Sequence, residues 1–399
     1  MAKKGKNRSL PQTGNIVTAA VFLTLVFGFS LAGLISPDRQ FSEMENRTLQ
    51  QTPEFSAERL KDGSFTGDIE QYMSDQIFLK DQLVTLKTGA DRLLGKNYLN
   101  GVYFADNGFY IQNYSENTAL VDKNIGCLNS FAESLEGDIP VSFLLAPNAS
   151  CVLRDHLPSQ NICGDQMETI ARIKSMLSER IGFACPAEAL KAEAEDCYYR
   201  TDHHWTANGA QLGYSQLRQT MGLPAVTGFT RTVEKLPDFY GTLYSKAPSA
   251  LAKSDTIQLV TYEGNDITVK YVSRNGDHTP PAECTETDGV LVKQGLFAEA
   301  PRTSKDKYAA IMGGNFALCE IETNAPSDER VLVLKDSYAN AVLPELCAQF
   351  GHISLIDLRY YHMEEETVSE YVKSHGIDRV IYIYNVDFIN SDNNFVWLE

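Results

Sequence analysis

Two short stretches of this chain carry side chains that could do chemistry together. The first is Thr201-Asp202-His203-His204-Trp205-Thr206. In an extended or loop segment, residues two apart point to the same side. Asp202 can then hold one imidazole nitrogen of His204 and leave the other free as a base, the orienting role of a carboxylate beside a general-base histidine. Packing of the histidines and Trp205 beneath a loop is the bland use of the same residues. The second stretch is Lys335-Asp336-Ser337-Tyr338-Ala339-Asn340. Its serine follows the apolar run Val331-Leu332-Val333-Leu334, at the kind of strand-to-helix junction where open α/β sheets place their sites. N–H groups at a helix start can stabilise an oxyanion. By itself an Asp-Ser pair reads equally well as a helix cap. The Gly-x-Ser-x-Gly elbow of α/β-hydrolases is absent.

Weaker candidates lie elsewhere. Gly313-Gly314-Asn315 offers close backbone approach and an amide donor, or an ordinary turn. Asn148 follows the apolar run Val141–Leu145 and could serve similarly. Arg359, after the run Ile353–Ile356, could bind an anionic or carbonyl group, or be a surface arginine. Asp202, His203 and His204 could also ligate a metal in a phosphoesterase. Such sites need further Asp-rich motifs from other strands, and the chain has no Asp-x-Asp pair.

The elements that must position these residues follow from hydrophobic periodicity. Residues 64–95 carry apolar positions at helical spacing. Val102–Phe104 and Phe109–Ile111 flank Asp106-Asn107-Gly108 as a hairpin. Helices are expected over 117–136, 166–180 and 207–221, the last capped by Thr206. Continuous apolar runs at 141–145, 330–334, 353–356 and 380–384 read as buried parallel strands. With helices at 339–350 and 365–375, the C-terminal part is βαβαβ, wound right-handed on a parallel sheet. Residues of about 225–310 look like a β-rich insertion.

At the N-terminus, Lys3, Lys4, Lys6 and Arg8 precede an uncharged apolar run from Ile16 to Ile35. Some twenty residues at about 1.5 Å each match a ~30 Å hydrocarbon core. The basic flank keeps residues 1–14 in the cytoplasm, makes 15–36 a signal anchor and exports the rest. A cleaved signal peptide is the rival, disfavoured by the length of the run. Leu10-Pro11-Gln12-Thr13-Gly14 looks like a sortase signal, but such signals sit at the other end of a chain. All eight cysteines lie beyond the anchor, where disulfides can persist. Cys151–Cys163 and Cys185–Cys197 are plausible local loops, in a mixture of bridges and buried thiols. With 399 residues, 43% of them hydrophobic, the chain can bury a large core; its net charge of −17 argues against nucleic acid.

These motifs carry a resemblance. Asp202-His203-His204-Trp205 is the tetrad that names the DHHW proteins of Gram-positive bacteria, which this chain resembles. The likeness includes Phe41-Ser42-Glu43 with Glu45-Asn46-Arg47, Ser74-Asp75-Gln76, Gly313-Gly314-Asn315, Lys335 to Asn340, Asp357-Leu358-Arg359-Tyr360-Tyr361 and Ile381 to Asn385. The family in turn is similar to alginate O-acetylation proteins with SGNH-hydrolase-like domains, in which Asp-x-His precedes Gly-Asp-Ser. The resemblance implies an α/β fold, an SGNH-like parallel sheet with flanking helices, over 101–399; the polar, Pro-containing residues 37–62 and the helical 64–95 make 37–100 a linker and helical stalk ahead of it, and the β-rich stretch of about 225–310 is an insertion within it. It matches Asp202 and His204 to the Asp-x-His pair and Ser337 to the nucleophile, joining residues that local chemistry leaves apart. Lys335 stands where the relatives have Gly. The implied activity is acyl transfer to, or ester cleavage on, an exopolysaccharide or cell-wall glycan at the cell surface, without metal or cofactor. The implied partners are an acyl donor, the polysaccharide and a membrane-bound O-acyltransferase. A silent glycan-binding scaffold is the alternative from another class, and the metal phosphoesterase a third reading.

Overall fold

A computed structural model describes residues 12–45, 47–272, 279–361 and 366–398. Asn46 of the N-terminal motif and Leu10-Pro11 of the sortase-like run lie outside them. The chain divides into two compact units, Met1–Asp91 and Arg92–Glu399.

In the first unit, helix α1 (Gln12–Ile35) contains a stretch, Gly14–Ile35, of 22 residues and mean hydropathy 2.2 that is long and apolar enough to cross a membrane. Length and composition fit a single-pass anchor or a signal sequence alike. The expected helix over 64–95 is two helices, α2 (Ser64–Asp75) and α3 (Lys80–Leu93). The break falls at Leu79, whose φ of 56° costs an L residue about 1–2 kcal/mol. Two-residue strands at Phe41–Ser42 and Arg47–Thr48 pair antiparallel. Arg47 grips the fully buried Asp75 with two hydrogen bonds of 2.8 and 2.5 Å.

The second unit takes in Arg92 and the strand Tyr98–Leu99, which pairs with Val102–Tyr103 ahead of the expected start at 101. The hairpin forms between Val102–Phe104 and Tyr110–Gln112, around a 3-10 turn at Asp106–Gly108. The core is a nine-stranded mixed sheet. Its strands are β1 (Val141–Ala146), β2 (Ile181–Ala184), β3 (Ile267–Val272), β4 (Thr285–Thr287), β5 (Val290–Gln294), β6 (Leu318–Thr323), β7 (Ser327–Lys335), β8 (Phe350–Ile356) and β9 (Arg379–Asn385), in the order β4-β5-β3-β6-β8-β7-β9-β1-β2. The half from β8 to β2 is parallel, as the apolar runs predicted, and Val331 to Leu334 are wholly buried. The other half is antiparallel. Much of the presumed insertion therefore extends the main sheet, while Thr230–Phe239 and Asp255–Glu263 form a separate ribbon.

Helices α4 (Thr118–Ser134), α5 (Gln166–Met176), α6 (Ala207–Thr220), α7 (Leu343–Gln349) and α8 (Val368–Ser374) flank this sheet. The helix expected over 339–350 starts as a 3-10 turn, Ser337–Val342, before α7 with Pro344 in its first turn, where the missing N–H costs nothing. Cys151, Cys163, Cys185 and Cys197 are thiols, so neither expected local bridge is formed. Burial in the core pushes the Cys151 and Cys197 thiols up to about 12, which suppresses the reactive thiolate.

Candidate active site

The C-terminal edge of the parallel half gathers the candidates. Ser337 follows β7, Asn148 follows β1, Arg359 follows β8, and Asn385 ends β9. That is where strand order in an open α/β sheet leaves a crevice.

The Asp202–Trp205 loop is fixed from both ends. Thr206 caps α6 through Gly209 N–H at 3.3 Å. Buried Asp255 accepts the N–H groups of Arg200 and Thr201, each at 2.8 Å, and the Thr201 hydroxyl at 2.6 Å. Trp205 is wholly buried, and its indole N–H donates to the Tyr338 carbonyl at 3.0 Å. Its ring lies on Gly213, where an added Cβ would come within 2.8 Å of it. The tetrad's tryptophan is thus a strut between its own loop and the serine turn.

That strut brings residues 133 apart into line. His204 Nδ1 meets Asp202 Oδ1 at 2.6 Å, and His204 Nε2 meets Ser337 Oγ at 2.8 Å. The Asp202 carboxylate also accepts the His204 N–H at 2.9 Å, the Thr242 N–H at 2.8 Å and the Thr242 hydroxyl at 3.1 Å. The Tyr308 ring stacks on His204 with centroids 3.8 Å apart, and its hydroxyl donates to the Ser337 carbonyl at 2.8 Å. Asp336 caps the serine turn by accepting the Tyr338 N–H at 2.8 Å, and its other oxygen accepts two Asn385 nitrogens at 2.7 Å.

Burial sets the charges. It lowers His204 to about 4, with His203 acting in the same direction and Asp202 against it. His204 is therefore an unprotonated base at neutral pH. Burial alone would raise Asp202, but the two histidines beside it hold its carboxyl well below the usual range. Burial opposes protonation of His203, yet Asp202 outweighs it and raises the group above 6.5. Burial pushes Asp336 up to about 6.

Ser337 opens into a cleft of about 350 Å³ whose lining includes Asn148, His203, Lys246, Arg359 and Asp387. His204 and Asp202 are not among its lining residues. Asn148 donates to the Tyr338 hydroxyl at 3.0 Å and to Asn385 at 3.1 Å, and its carbonyl accepts the Asp387 N–H at 3.0 Å. Arg359 forms a two-pronged pair with Asp357 at 2.9 and 2.6 Å. Gly314, with φ of 134°, and Asn315 are not among the described lining residues. Asn315 instead accepts from the buried Lys335 ammonium at 2.8 Å and from Asn340 at 3.2 Å. Sequence reasoning missed Gly241-Thr242, Tyr308 and Asp387, since no local pattern ties them to the tetrad. The tetrad itself offers three ligand atoms within 4.8 Å of one another. Two of these, on Asp202 and His204, already face each other, and His203 Nδ1 lies 2.8 Å from the Thr242 hydroxyl.

Two solved structures share this architecture. A DHHW family protein from Eubacterium siraeum DSM 15702 superposes with a TM-score of 0.61 at 21% identity, covering 75% of this chain and 95% of the other. Bacillus cereus PatB1 gives 0.57 at 22%, covering 75% and 98%. The O-acetyltransferase domain of Pseudomonas putida AlgJ gives 0.47 at 13%, covering 73% and 93%. No curated protein matches the chain. The sequence profile described as DHHW protein matches residues 85–356, and the chain belongs to the DHHW family.

Proposed function

We propose that this protein is a serine-dependent acyltransferase or esterase acting on O-acyl groups of an exopolysaccharide or cell-wall glycan. The observation that carries this is the continuous line from Asp202 through His204 to Ser337, with hydrogen-bond distances of 2.6 and 2.8 Å. His204 Nε2 takes the Ser337 proton as Oγ attacks the acyl carbonyl of a donor. The tetrahedral intermediate collapses to an acyl-serine, and the imidazolium returns its proton to the departing alcohol. A sugar hydroxyl or water then gives up its proton to His204 as its oxygen takes the acyl group, and His204 returns that proton to the departing Ser337 Oγ. Asp202 keeps the reactive tautomer and stabilises the imidazolium, and the Ser337 N–H at the turn start faces the developing oxyanion. Arg359 and Lys246 suit carbonyl and hydroxyl oxygens of a polar substrate.

The N-terminal segment supports a place for this chemistry. With residues 1–14 cytoplasmic and α1 as an anchor, the second unit faces the cell exterior, where glycans are available. An acyl donor and a membrane-bound O-acyltransferase complete the reading. Turnover of an acetyl ester tests it. Ser337→Ala should remove turnover and labelling by a sulfonyl fluoride, with EDTA having no effect. EDTA-sensitive turnover indifferent to Ser337→Ala would overturn it in favour of a metal held by Asp202, His203 and His204. Glycan binding without turnover would favour a scaffold.

A further inference from the structure

The apolar residues between α2 and α3 play no part in the chemistry above. Ile77, Phe78 and Leu79 are 46, 37 and 44% exposed. The left-handed Leu79 turns the chain sharply: Lys80 N–H closes on the Ile77 carbonyl at 3.1 Å, and Leu83 N–H on Leu79 at 3.0 Å. Three large apolar side chains thus project at one tip. The tip is rigid. Lys80 pairs with Glu45 at 2.7 Å, Arg47 pairs with Asp75, and the Gln76 amide donates to Arg39 and Gln50 carbonyls at 2.9 and 3.1 Å. Glu45, Arg47, Asp75 and Gln76 among them belong to the Glu45–Arg47 and Ser74-Asp75-Gln76 motifs, which the proposed reaction leaves without a role.

The tip lies against the apolar span. The Phe78 ring meets Phe29 of α1 edge-on, with centroids 6.2 Å apart. Phe29, Ala32, Gly33 and Ser36 are the half-covered positions on an otherwise bare helix face, at helical spacing. Phe29 precedes Ile35, the end of the apolar stretch, by about 9 Å of helix. If α1 crosses a bilayer, that depth is inside the ~30 Å hydrocarbon core. Acyl chains are what surround a lone span there, and exposed Ile, Phe and Leu are the side chains they favour.

We propose that Ile77, Phe78 and Leu79 form an apolar tip that enters the outer leaflet beside α1. The inference rests on the reading of α1 as an uncleaved anchor. Its consequence is a second membrane attachment, with the ion cluster of Glu45, Arg47, Asp75 and Lys80 holding the tip in place.

The test uses the full chain in vesicles whose lipids carry bromine on their acyl chains, a short-range quencher of tryptophan. Phe78→Trp and Val21→Trp are compared with the parent, whose Trp205 and Trp397 give the background. The emission added by Phe78→Trp should be lost in brominated vesicles and be protected from aqueous acrylamide. Quenching of Val21→Trp with Phe78→Trp unquenched and open to acrylamide overturns the tip and leaves the anchor standing. Loss of quenching at both positions overturns the anchor as well.

Discussion

Gly241→Ala is the substitution that most directly tests how the site is held. Gly241 has an ordinary φ of −83°, so backbone strain plays no part. The obstacle is space: an added Cβ would lie 2.2 Å from Asp202 Cβ and 2.3 Å from Oδ2. Ordinary contact begins near 3.4 Å, so the carboxylate or the Gly241 backbone must retreat by about 1 Å. Either movement pulls Asp202 away from Thr242 N–H or from His204 Nδ1, now at 2.8 and 2.6 Å. A misplacement of about 1 Å in a catalytic constellation costs on the order of a hundredfold in rate, or about 2.7 kcal/mol of barrier. The parent and Gly241→Ala should be compared for kcat and KM on an acetyl ester, with the rate of sulfonyl fluoride labelling at Ser337 as an independent readout. The loss should fall on kcat and on the labelling rate alike, because in the proposed mechanism Asp202 acts through His204. Overpacking should also lower stability by about 1–3 kcal/mol, visible as a reduced melting temperature with a retained native spectrum. A folded Gly241→Ala protein within about threefold of the parent, under 1 kcal/mol of barrier, would refute the claim that Asp202 orients the base.

The pH profile gives a further expectation. In the proposed mechanism His204 works unprotonated, and burial lowers its group to about 4, so kcat/KM should hold from pH 7 to about 5 and fall roughly tenfold per unit below about pH 4; an acid limb at 6.5 or above, in protein still folded by circular dichroism, would contradict the buried-base assignment. Lys335→Met should cost about 2–3 kcal/mol of stability in urea unfolding, since Asn315 and Asn340 each lose a charged donor at 2.8 Å inside the core; an unchanged midpoint would show that the buried ammonium contributes nothing to the fold.

Some of this was legible in the sequence for definite reasons. Asp202 and His204 could be paired because residues two apart share a side, and the structure puts them 2.6 Å apart. The parallel strands could be placed because strands covered on both faces are uninterrupted apolar runs, as Val331–Leu334 and Val380–Tyr384 are. Thr206 could be read as a cap from type and position alone. Other features depend on the path of the chain through space. Thr242 reaches Asp202 from 40 residues away, off a ribbon whose alternation says only that it is β. Tyr308 stacks on His204 from a 3-10 turn that no periodicity announces. The antiparallel half of the sheet was hidden because alternating Thr, Val and Lys in β3 and β5 fits a free ribbon as well as an added edge. The kink at Leu79 was hidden because a left-handed leucine defies local preference.

Lys335, the residue before Asp336-Ser337, has to be judged in its surroundings. Here a lysine ends β7 and is 3% exposed. An unpaired ammonium at such a site would be expelled or neutralised, and burial does lower this group below its ordinary value. What retains it is a ring of acceptors: Asn315 and Asn340 at 2.8 Å, with Asp357 at 3.8 Å. Those acceptors come from Gly-Gly-Asn, from Asp-Ser-Tyr-Ala-Asn and from the Asp-Leu-Arg run that carries Arg359. The lysine thus ties together blocks that are far apart in sequence, two of which also carry Ser337 and Arg359 to the cleft. The Lys335 side chain stands apart from the cap of the serine turn, because Asp336 caps that turn through Tyr338 and Asn385, contacts that Lys335 does not share.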